Sequence, residues 1–141
     1  MQSTLHYLEK LVAFPTVSRD SNLELIDYIA SELDVMGIAS TLIHSEDGRK
    51  ANLWATIGPP DGQGIALSGH TDVVPVEGQN WSSDPFTLTQ RGGNLLGRGS
   101  ADMKGFIAAC LHLAQHAGRR KLHTPLHFAF SYDEEIGCIG V

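Results

Sequence analysis

The chain has 141 residues, of which 42% are hydrophobic and 18% charged, so it has the size and composition of one globular domain and not of a disordered protein. Its formal net charge of −6, from 10 Lys and Arg against 16 Asp and Glu, argues against nucleic acid or an anionic membrane as its main partner. No apolar run approaches the length of a membrane span, and the N-terminus shows no pattern of a secretory signal. The two cysteines form no CxxC motif. These features together predict a cytoplasmic chain with reduced thiols.

Two helices are predicted in the first part of the chain. Apolar residues recur at helical spacing between positions 3 and 14, and Pro15 ends this helix. The run 18–21 offers several N-caps for a second helix, whose apolar face begins at Leu25 and which ends before Gly37.

Strands are predicted next, separated by segments of turn-forming residues. Asp47-Gly48 and the run 58–62 mark two turns, and the glycine-rich stretch 75–99 is predicted to be a long connection. The predicted strands, including two short pieces within that connection, are 38–44, 51–57, 65–68, 86–89, 94–96 and 126–131.

A third helix is predicted from Met103 to Ala117, with Gly118 at the position of a C′ glycine. Because helices and strands alternate along the chain, the sequence predicts an α/β fold in which helices flank a mixed sheet. The chain ends within an acidic segment, 134–141, that is typical of the start of another helix. We therefore expect the 141 residues to be the N-terminal portion of a longer protein.

Three places combine a strand end or a glycine-rich turn with residues that can bind a metal or move a proton. In the first, LSGHTDVVP, an apolar strand delivers His70 and Asp72, whose side chains share one face if strand geometry persists. A histidine can ligate a metal through one ring nitrogen while a carboxylate holds the other N–H. The spacing leaves open whether Asp72 reaches His70, another ligand or a bound water. An ordinary turn with a satisfied histidine is the alternative.

The other two places are acidic. In GRGSADMKG, Asp102 lies at the start of the third predicted helix, where an ordinary N-cap is the alternative. In FSYDEEIG, Glu134 and Glu135 follow the last predicted strand, where a solvated loop that opens a helix is the alternative. Because α/β sheets bind ligands at the carboxyl ends of their strands, we expect these acids to gather with His70. One imidazole and several carboxylates suit zinc or a similar divalent ion, and a carboxylate that is not a ligand can act as general base.

These motifs, with WSSDPF between the first two, resemble the signatures of the dinuclear zinc amidohydrolase and peptidase family that includes acetylornithine deacetylase, succinyl-diaminopimelate desuccinylase and aminoacylase. The resemblance covers nearly the whole chain, and the form SYDEEIGCIG is most similar to that of the acetylornithine deacetylases. It implies a cytoplasmic, metal-dependent amide hydrolase that removes an N-acyl group from an amino acid. The first reaction that it implies is the deacetylation of N-acetylornithine in arginine synthesis. N-succinyl-diaminopimelate, another N-acyl amino acid or a dipeptide are the alternative substrates.

The resemblance also implies a role for each site residue. His70 would ligate one of two divalent ions, zinc or cobalt, Glu135 would ligate the other, and Asp102 would bridge them. Glu134 would be the general base that takes a proton from water and passes it to the leaving amine. Asp72 would be a carboxylate behind the ligands that tunes the site. A cis peptide after Asp102 is implied as well.

Parts of the family's architecture are expected beyond the chain. The family completes its metal site with a further carboxylate and a histidine C-terminal to Val141, and it inserts a smaller domain that dimerises and helps close over a small-molecule substrate. Residues 1–141 would then be the N-terminal portion of the catalytic domain, and a non-catalytic truncated product is the second hypothesis for this polypeptide. One departure from the family pattern, at 92–97, is expected to affect only a hairpin.

Other candidate residues are not assigned to the site. His112 and His116 share a face of the third predicted helix, but a zinc-protease pattern would need a glutamate where Leu113 stands. Core or hairpin packing is expected for Trp54 and Trp81.

Overall fold

A computed structural model describes residues 2–59 and 63–141, so part of the turn predicted at 58–62 lies outside the described residues. Within these residues the helices are α1 (Thr4–Val12), α2 (Leu23–Val35) and α3 (Lys104–Ala117). The strands are β1 (Ser40–His44), β2 (Ala51–Ile57), β3 (Ile65–His70), β4 (Thr89–Arg91), β5 (Asn94–Leu96) and β6 (Leu126–Ser131).

Four of these strands form one mixed sheet in the order β1-β2-β6-β3. The pairs β1·β2 and β2·β6 are antiparallel, whereas β3 runs parallel to β6. The long connection that a parallel pair requires contains the β4·β5 hairpin and α3. The carboxyl ends of β3 and β6 therefore meet at the same edge, where His70 pairs with Ser131. The prediction of a mixed sheet flanked by helices is confirmed.

The helices bury their apolar faces against one face of this sheet. Buried residues alternate with more exposed ones along β2, as expected for a strand with one face in the core. Phe128 and Phe130 of β6 face the same core, which also contains Leu11, Ile26 and Leu111 from the three helices. Burial of each such side chain stabilises the fold by about 1.5–3 kcal/mol. This packing holds the strand ends that the site residues follow.

The segment before α2 differs from the sequence prediction. The N-cap is Asn22 and not one of residues 18–21, and the Asn22 side chain makes no capping hydrogen bond. It pairs instead with both main-chain polar groups of Ala51 and donates to Thr71 Oγ1. The side chain of Asn22 thus ties the start of α2 to β2 and to the loop after β3.

The C-terminus of α2 is predicted correctly, but the following strand begins later than predicted. Gly37 has a φ of 75°, the left-handed conformation that commonly ends a helix. The N–H of Ile38 still bonds to the oxygen of Leu33 in α2. Because Ile38 completes the helix terminus, β1 begins at Ser40 and not at residue 38.

The strand predicted at 86–89 is wrong for most of its length, since β4 begins only at residue 89. Residues before it form a turn because the Asp84 carboxylate accepts hydrogen bonds from the N–H of Phe86 and from Thr87 Oγ1, at 3.0 and 2.8 Å. Strand β4 then pairs with β5 through Gly92 and Gly93, whose φ angles of 58° and 81° are typical of a two-residue hairpin turn. The departure at 92–97 accordingly forms this hairpin.

Two predictions about segment ends are also wrong. Gly118 caps α3 in the right-handed conformation, with a φ of −61°, and is not a left-handed C′ residue. The segment 134–141 forms turns and not the start of a helix, because Gly137 and Cys138 have φ angles of 105° and 57°, which a right-handed helix does not allow. Among residues 2–59 and 63–141, no helix has the length and apolar character needed to cross a membrane.

Candidate metal centre

The residues singled out from the sequence come together at the edge where β3 and β6 end. His70 is the last residue of β3, and Glu134 and Glu135 follow β6 by a few residues. Asp102 reaches the same place from the turn before α3, and its peptide bond to Met103 is cis, as the resemblance implies. Three separate stretches of chain thus contribute to one cluster.

The ligand atoms of this cluster converge. Nε2 of His70 lies 3.0 Å from Asp102 Oδ1 and 3.7 Å from Glu134 Oε2. One ligand atom each from His70, Glu134 and Glu135 lies within 4.8 Å of the others. The His70 side chain is 6% exposed, whereas those of Asp102 and Glu134 are 76% and 45% exposed. The cluster therefore has a buried histidine at its base and carboxylates that face solvent.

Asp72 lies on the other side of His70 and is itself buried. Its main-chain oxygen is 3.0 Å from His70 Nδ1, and its carboxylate Oδ1 is 3.5 Å from the same nitrogen. A carbonyl oxygen can only accept a hydrogen bond, so Nδ1 carries a proton, and Nε2 is the ring nitrogen that faces the acids. The question that the spacing left open is answered: Asp72 reaches His70.

The Asp72 carboxylate also organises the acidic loop. Burial alone would raise the pKa of Asp72, but hydrogen bonds from His70, from Ser18 and from the N–H groups of Glu134 and Glu135 lower it to about 2. Asp72 is therefore an anion held by several donors. In turn, its carboxylate raises the pKa of His70 to about 9, with a further contribution from Asp102 and against the effect of burial.

The acids at the front of the site repel one another. Burial raises the pKa of Glu135, and the negative charges of Asp102, Asp72 and Glu134 raise it further against the effect of His70. A divalent cation among these groups would relieve this repulsion, and imidazole nitrogen with carboxylate oxygen is a donor set that zinc and related ions accept. The residues present at the site therefore fit a divalent metal ion.

Sequence reasoning missed several polar residues behind the cluster. Ser18 donates from Oγ to Asp72 Oδ2 at 2.6 Å, and Lys50 pairs with Asp133 at 2.7 Å. Lys104 is fully buried, and its Nζ donates to the main-chain oxygen of Phe14 at 2.6 Å. Burial lowers the pKa of Lys104 to about 7, against the attraction of Asp72. Only Lys104 and Asp133 had a signal in the sequence, because these two residues lie inside the motifs.

The residues that were not assigned to the site lie outside the cluster. His112 and His116 share a face of α3 with ring centroids 4.9 Å apart, and His112 Nδ1 is 3.0 Å from the main-chain oxygen of Gln2. Trp54 is 41% exposed and stacks on His127, so core packing is the wrong prediction for it. The reason is that Trp54 points to the sheet face opposite the helices.

The two cysteines are expected to differ in reactivity towards a disulfide reagent such as DTNB. Burial raises the pKa of the Cys110 thiol to about 12. Cys138 is exposed, although desolvation and the nearby Glu134 carboxylate raise its pKa as well. We expect one thiol per folded chain to react slowly near pH 8, and the second only in denaturant. Reaction of both thiols in the folded chain would contradict the burial of Cys110.

Known proteins resemble this chain along nearly its whole length. Residues 66–141, more than half of the chain, match the peptidase family M20/M25/M40. The chain is 38% identical to the acetylornithine deacetylase of Pasteurella multocida over 98% of its own length, and 38% identical to that of Proteus mirabilis over 93%. It spans only 38% and 35% of the length of these two relatives.

Solved structures show the same fold. The chain superposes on the M20 family metallo-carboxypeptidase Sso-CP2 of Sulfolobus solfataricus with a TM-score of 0.84 at 23% identity, covering 99% of the chain and 33% of that protein. It superposes on human carnosine dipeptidase 1 with a TM-score of 0.82 at 24% identity, covering 98% of the chain and 33% of that protein. The match over residues 66–141, more than half of the chain, shows that the chain belongs to the peptidase family M20/M25/M40.

Proposed function

We propose that the chain supplies part of the active site of a metal-dependent amide hydrolase that removes the acyl group from an N-acyl amino acid. The observation that carries the proposal is the convergence of His70 with Asp102, Glu134 and Glu135 at one edge of the sheet. N-Acetylornithine is the proposed substrate, because relatives at 36–38% identity are named acetylornithine deacetylase.

In this proposal His70, Asp102 and Glu135 would hold two divalent ions, zinc or cobalt, and Asp102 would serve both of them. When bound, such ions would polarise the amide carbonyl and favour the ionisation of water. The orientation of His70 supports its role, because the bond from Nδ1 to the Asp72 oxygen presents Nε2 to the acids. Asp72 would keep the imidazole in this orientation and in this tautomer.

Glu134 is the proposed general base. Its side chain is 45% exposed and lies at the solvent side of the cluster, where it can contact both water and substrate. It would accept a proton from the attacking water and deliver it to the leaving nitrogen, so that the products are the free amine and the carboxylate of the acyl group. Glu135, which is half-buried beside it, would remain a ligand.

We further propose that the complete activity belongs to a cytoplasmic homodimer of a longer polypeptide acting on a small molecule in arginine synthesis. The length of the relatives, of which the chain spans 35–38%, supports the longer polypeptide. Metal analysis of the complete gene product and an assay of N-acetylornithine, N-succinyl-diaminopimelate and a dipeptide would test the proposal. We expect bound zinc or cobalt and fastest hydrolysis of N-acetylornithine. Metal-free protein that hydrolyses none of these substrates would contradict it.

The 141-residue chain alone is expected to show no hydrolysis, even with added zinc or cobalt. Each of two ions would receive one terminal ligand from His70 or Glu135 and share Asp102, which is fewer than the four ligands of a tetrahedral site. The assay is release of ornithine from N-acetylornithine by the purified chain, with the complete gene product as the positive control. Measurable turnover by the chain would show that these residues suffice.

A further inference from the structure

A ring of hydrogen bonds connects the loop of Asp72 to the loop of the two glutamates. Oδ1 of Asp72 accepts the N–H of Glu134 at 3.1 Å, and Oδ2 accepts the N–H of Glu135 at 3.2 Å. Oδ2 also accepts the hydroxyl proton of Ser18 at 2.6 Å. One carboxylate thus holds the main chain of both acidic residues and the segment before α2.

Lys50 closes this ring. Its Nζ donates to both carboxylate oxygens of Asp133, with 2.7 Å to Oδ2, and also donates to the main-chain oxygen of Ser18. The side chains of Lys50 and Asp133 are 15% and 7% exposed. The path therefore returns to its origin, from Lys50 through Ser18, Asp72, the acidic loop and Asp133 back to Lys50.

The conformation of Asp133 explains how this ring orients the glutamates. Asp133 has a φ of 58°, a left-handed conformation that a residue other than glycine adopts mainly where its surroundings hold it. In this conformation the next two N–H groups, those of Glu134 and Glu135, point at the same carboxylate. Lys50 contacts the side chain of Asp133, the residue whose left-handed conformation makes this turn.

We propose that Lys50 and Asp133 are positioning residues for the amide hydrolase reaction. Their ion pair sets the direction in which the side chains of Glu134 and Glu135 project from the main chain. This inference rests on the proposed function for its catalytic meaning. Neither Lys50 nor Asp133 is needed as a ligand or as a proton carrier. Their effect reaches the centre only through the acidic loop and Asp72.

A purely structural role for the ion pair makes a different prediction. Removal of one partner from a buried pair leaves an uncompensated charge, whereas removal of both is often tolerated. A pair that only stabilises the fold would therefore be replaceable by two neutral side chains without further consequence. A pair that positions the acidic loop would leave that loop loosened even when the stability of the fold is restored.

The test uses the 141-residue chain without metal and compares Asp133→Asn with the double variant Lys50→Met, Asp133→Asn. Asn is isosteric with Asp and accepts the left-handed conformation, so both variants are expected to fold. Amide hydrogen exchange of Glu134 and Glu135 should become about tenfold faster or more in both variants, while exchange of Phe130 in β6 stays unchanged. Unchanged exchange at the glutamates in two folded variants would overturn the proposal.

Two further variants complete the experiment. Lys50→Arg keeps the charge and should restore slow exchange at both glutamates, as a positioning role requires. Glu77→Gln breaks the exposed pair between Arg19 and Glu77 and should leave exchange at Glu134 and Glu135 as in the unsubstituted chain. Faster exchange in Lys50→Arg equal to that of the double variant would contradict the ion-pair mechanism.

A second measurement separates this proposal from the proposed function. In the complete gene product, the zinc affinity of the double variant should fall about tenfold or more relative to the unsubstituted protein, measured by competition with a metal indicator. Full zinc affinity together with wild-type exchange would overturn the positioning role. Failure of the complete gene product to bind zinc would overturn the metal centre instead, and the exchange of the glutamate amides would still decide the role of Lys50 and Asp133.

Discussion

Replacing Glu134 by glutamine in the complete gene product is expected to lower kcat by about 10²–10⁴-fold, the usual contribution of a general base. Glutamine keeps the size of the side chain but cannot accept a proton from water. Because Glu134 is 45% exposed and its N–H, not its side chain, bonds to Asp72, folding should be unaffected. The measurements are initial rates on N-acetylornithine and the metal content of the purified variant.

The metal content decides between the two possible roles of Glu134. A general base can be lost while both ions stay bound, whereas loss of metal together with activity would make Glu134 a ligand. Glu46→Gln, an exposed glutamate in the turn between β1 and β2, is the matched control and should keep full activity. Turnover of Glu134→Gln within a few fold of the unsubstituted enzyme would remove Glu134 from the mechanism.

Replacing Asp102 by alanine in the same gene product is expected to abolish the binding of both ions. Asp102 would contribute a ligand to both ions in the proposed centre, so its loss would weaken the binding of both at once. The Asp102 side chain is 76% exposed and contacts His70 Nε2, so its removal should cost the fold little. The expected result is a variant that contains no metal by elemental analysis and has the urea midpoint of the unsubstituted protein freed of metal.

Retention of one fully occupied ion in Asp102→Ala would contradict the bridging role and would assign Asp102 to a single site. Asp34→Ala, an exposed aspartate of α2, is the control for removal of one surface carboxylate. It should bind zinc as the unsubstituted protein does. A large loss of stability in Asp102→Ala would show that the loss of metal follows from unfolding and not from the missing ligand.

Much of the fold follows from local sequence patterns. Apolar periodicity with Pro15 and Gly37 as terminators predicts α1 and α2, and the run of apolar residues predicts β6. The gathering of His70 with Glu134 and Glu135 follows from a rule of α/β sheets, because both segments come directly after strands. The sequence did not show that β3 and β6 are parallel neighbours. Because they are, their carboxyl ends lie at the same edge of the sheet, and the residues that follow them meet there as the rule predicts.

The parts that sequence reasoning missed depend on contacts between distant residues. Lys50 and Asp133 are 83 residues apart, and each has an ordinary interpretation as a solvated charge in a turn. Only the packing of β2 beside β6 buries them against one another. The wrong strand at 86–89 has the opposite cause, because a single local interaction of the Asp84 side chain overrides the pattern of the residues that follow it.

The uneven exposure of the centre has a consequence for how it acquires and loses ions. His70 is enclosed, whereas the carboxylates of Asp102 and Glu134 are exposed to water. A divalent ion that entered the centre would therefore meet these exposed carboxylates before the imidazole. Binding of the ion should be fast and should weaken as the salt concentration rises. A chelator should remove the ion from the folded protein, without a preceding unfolding step.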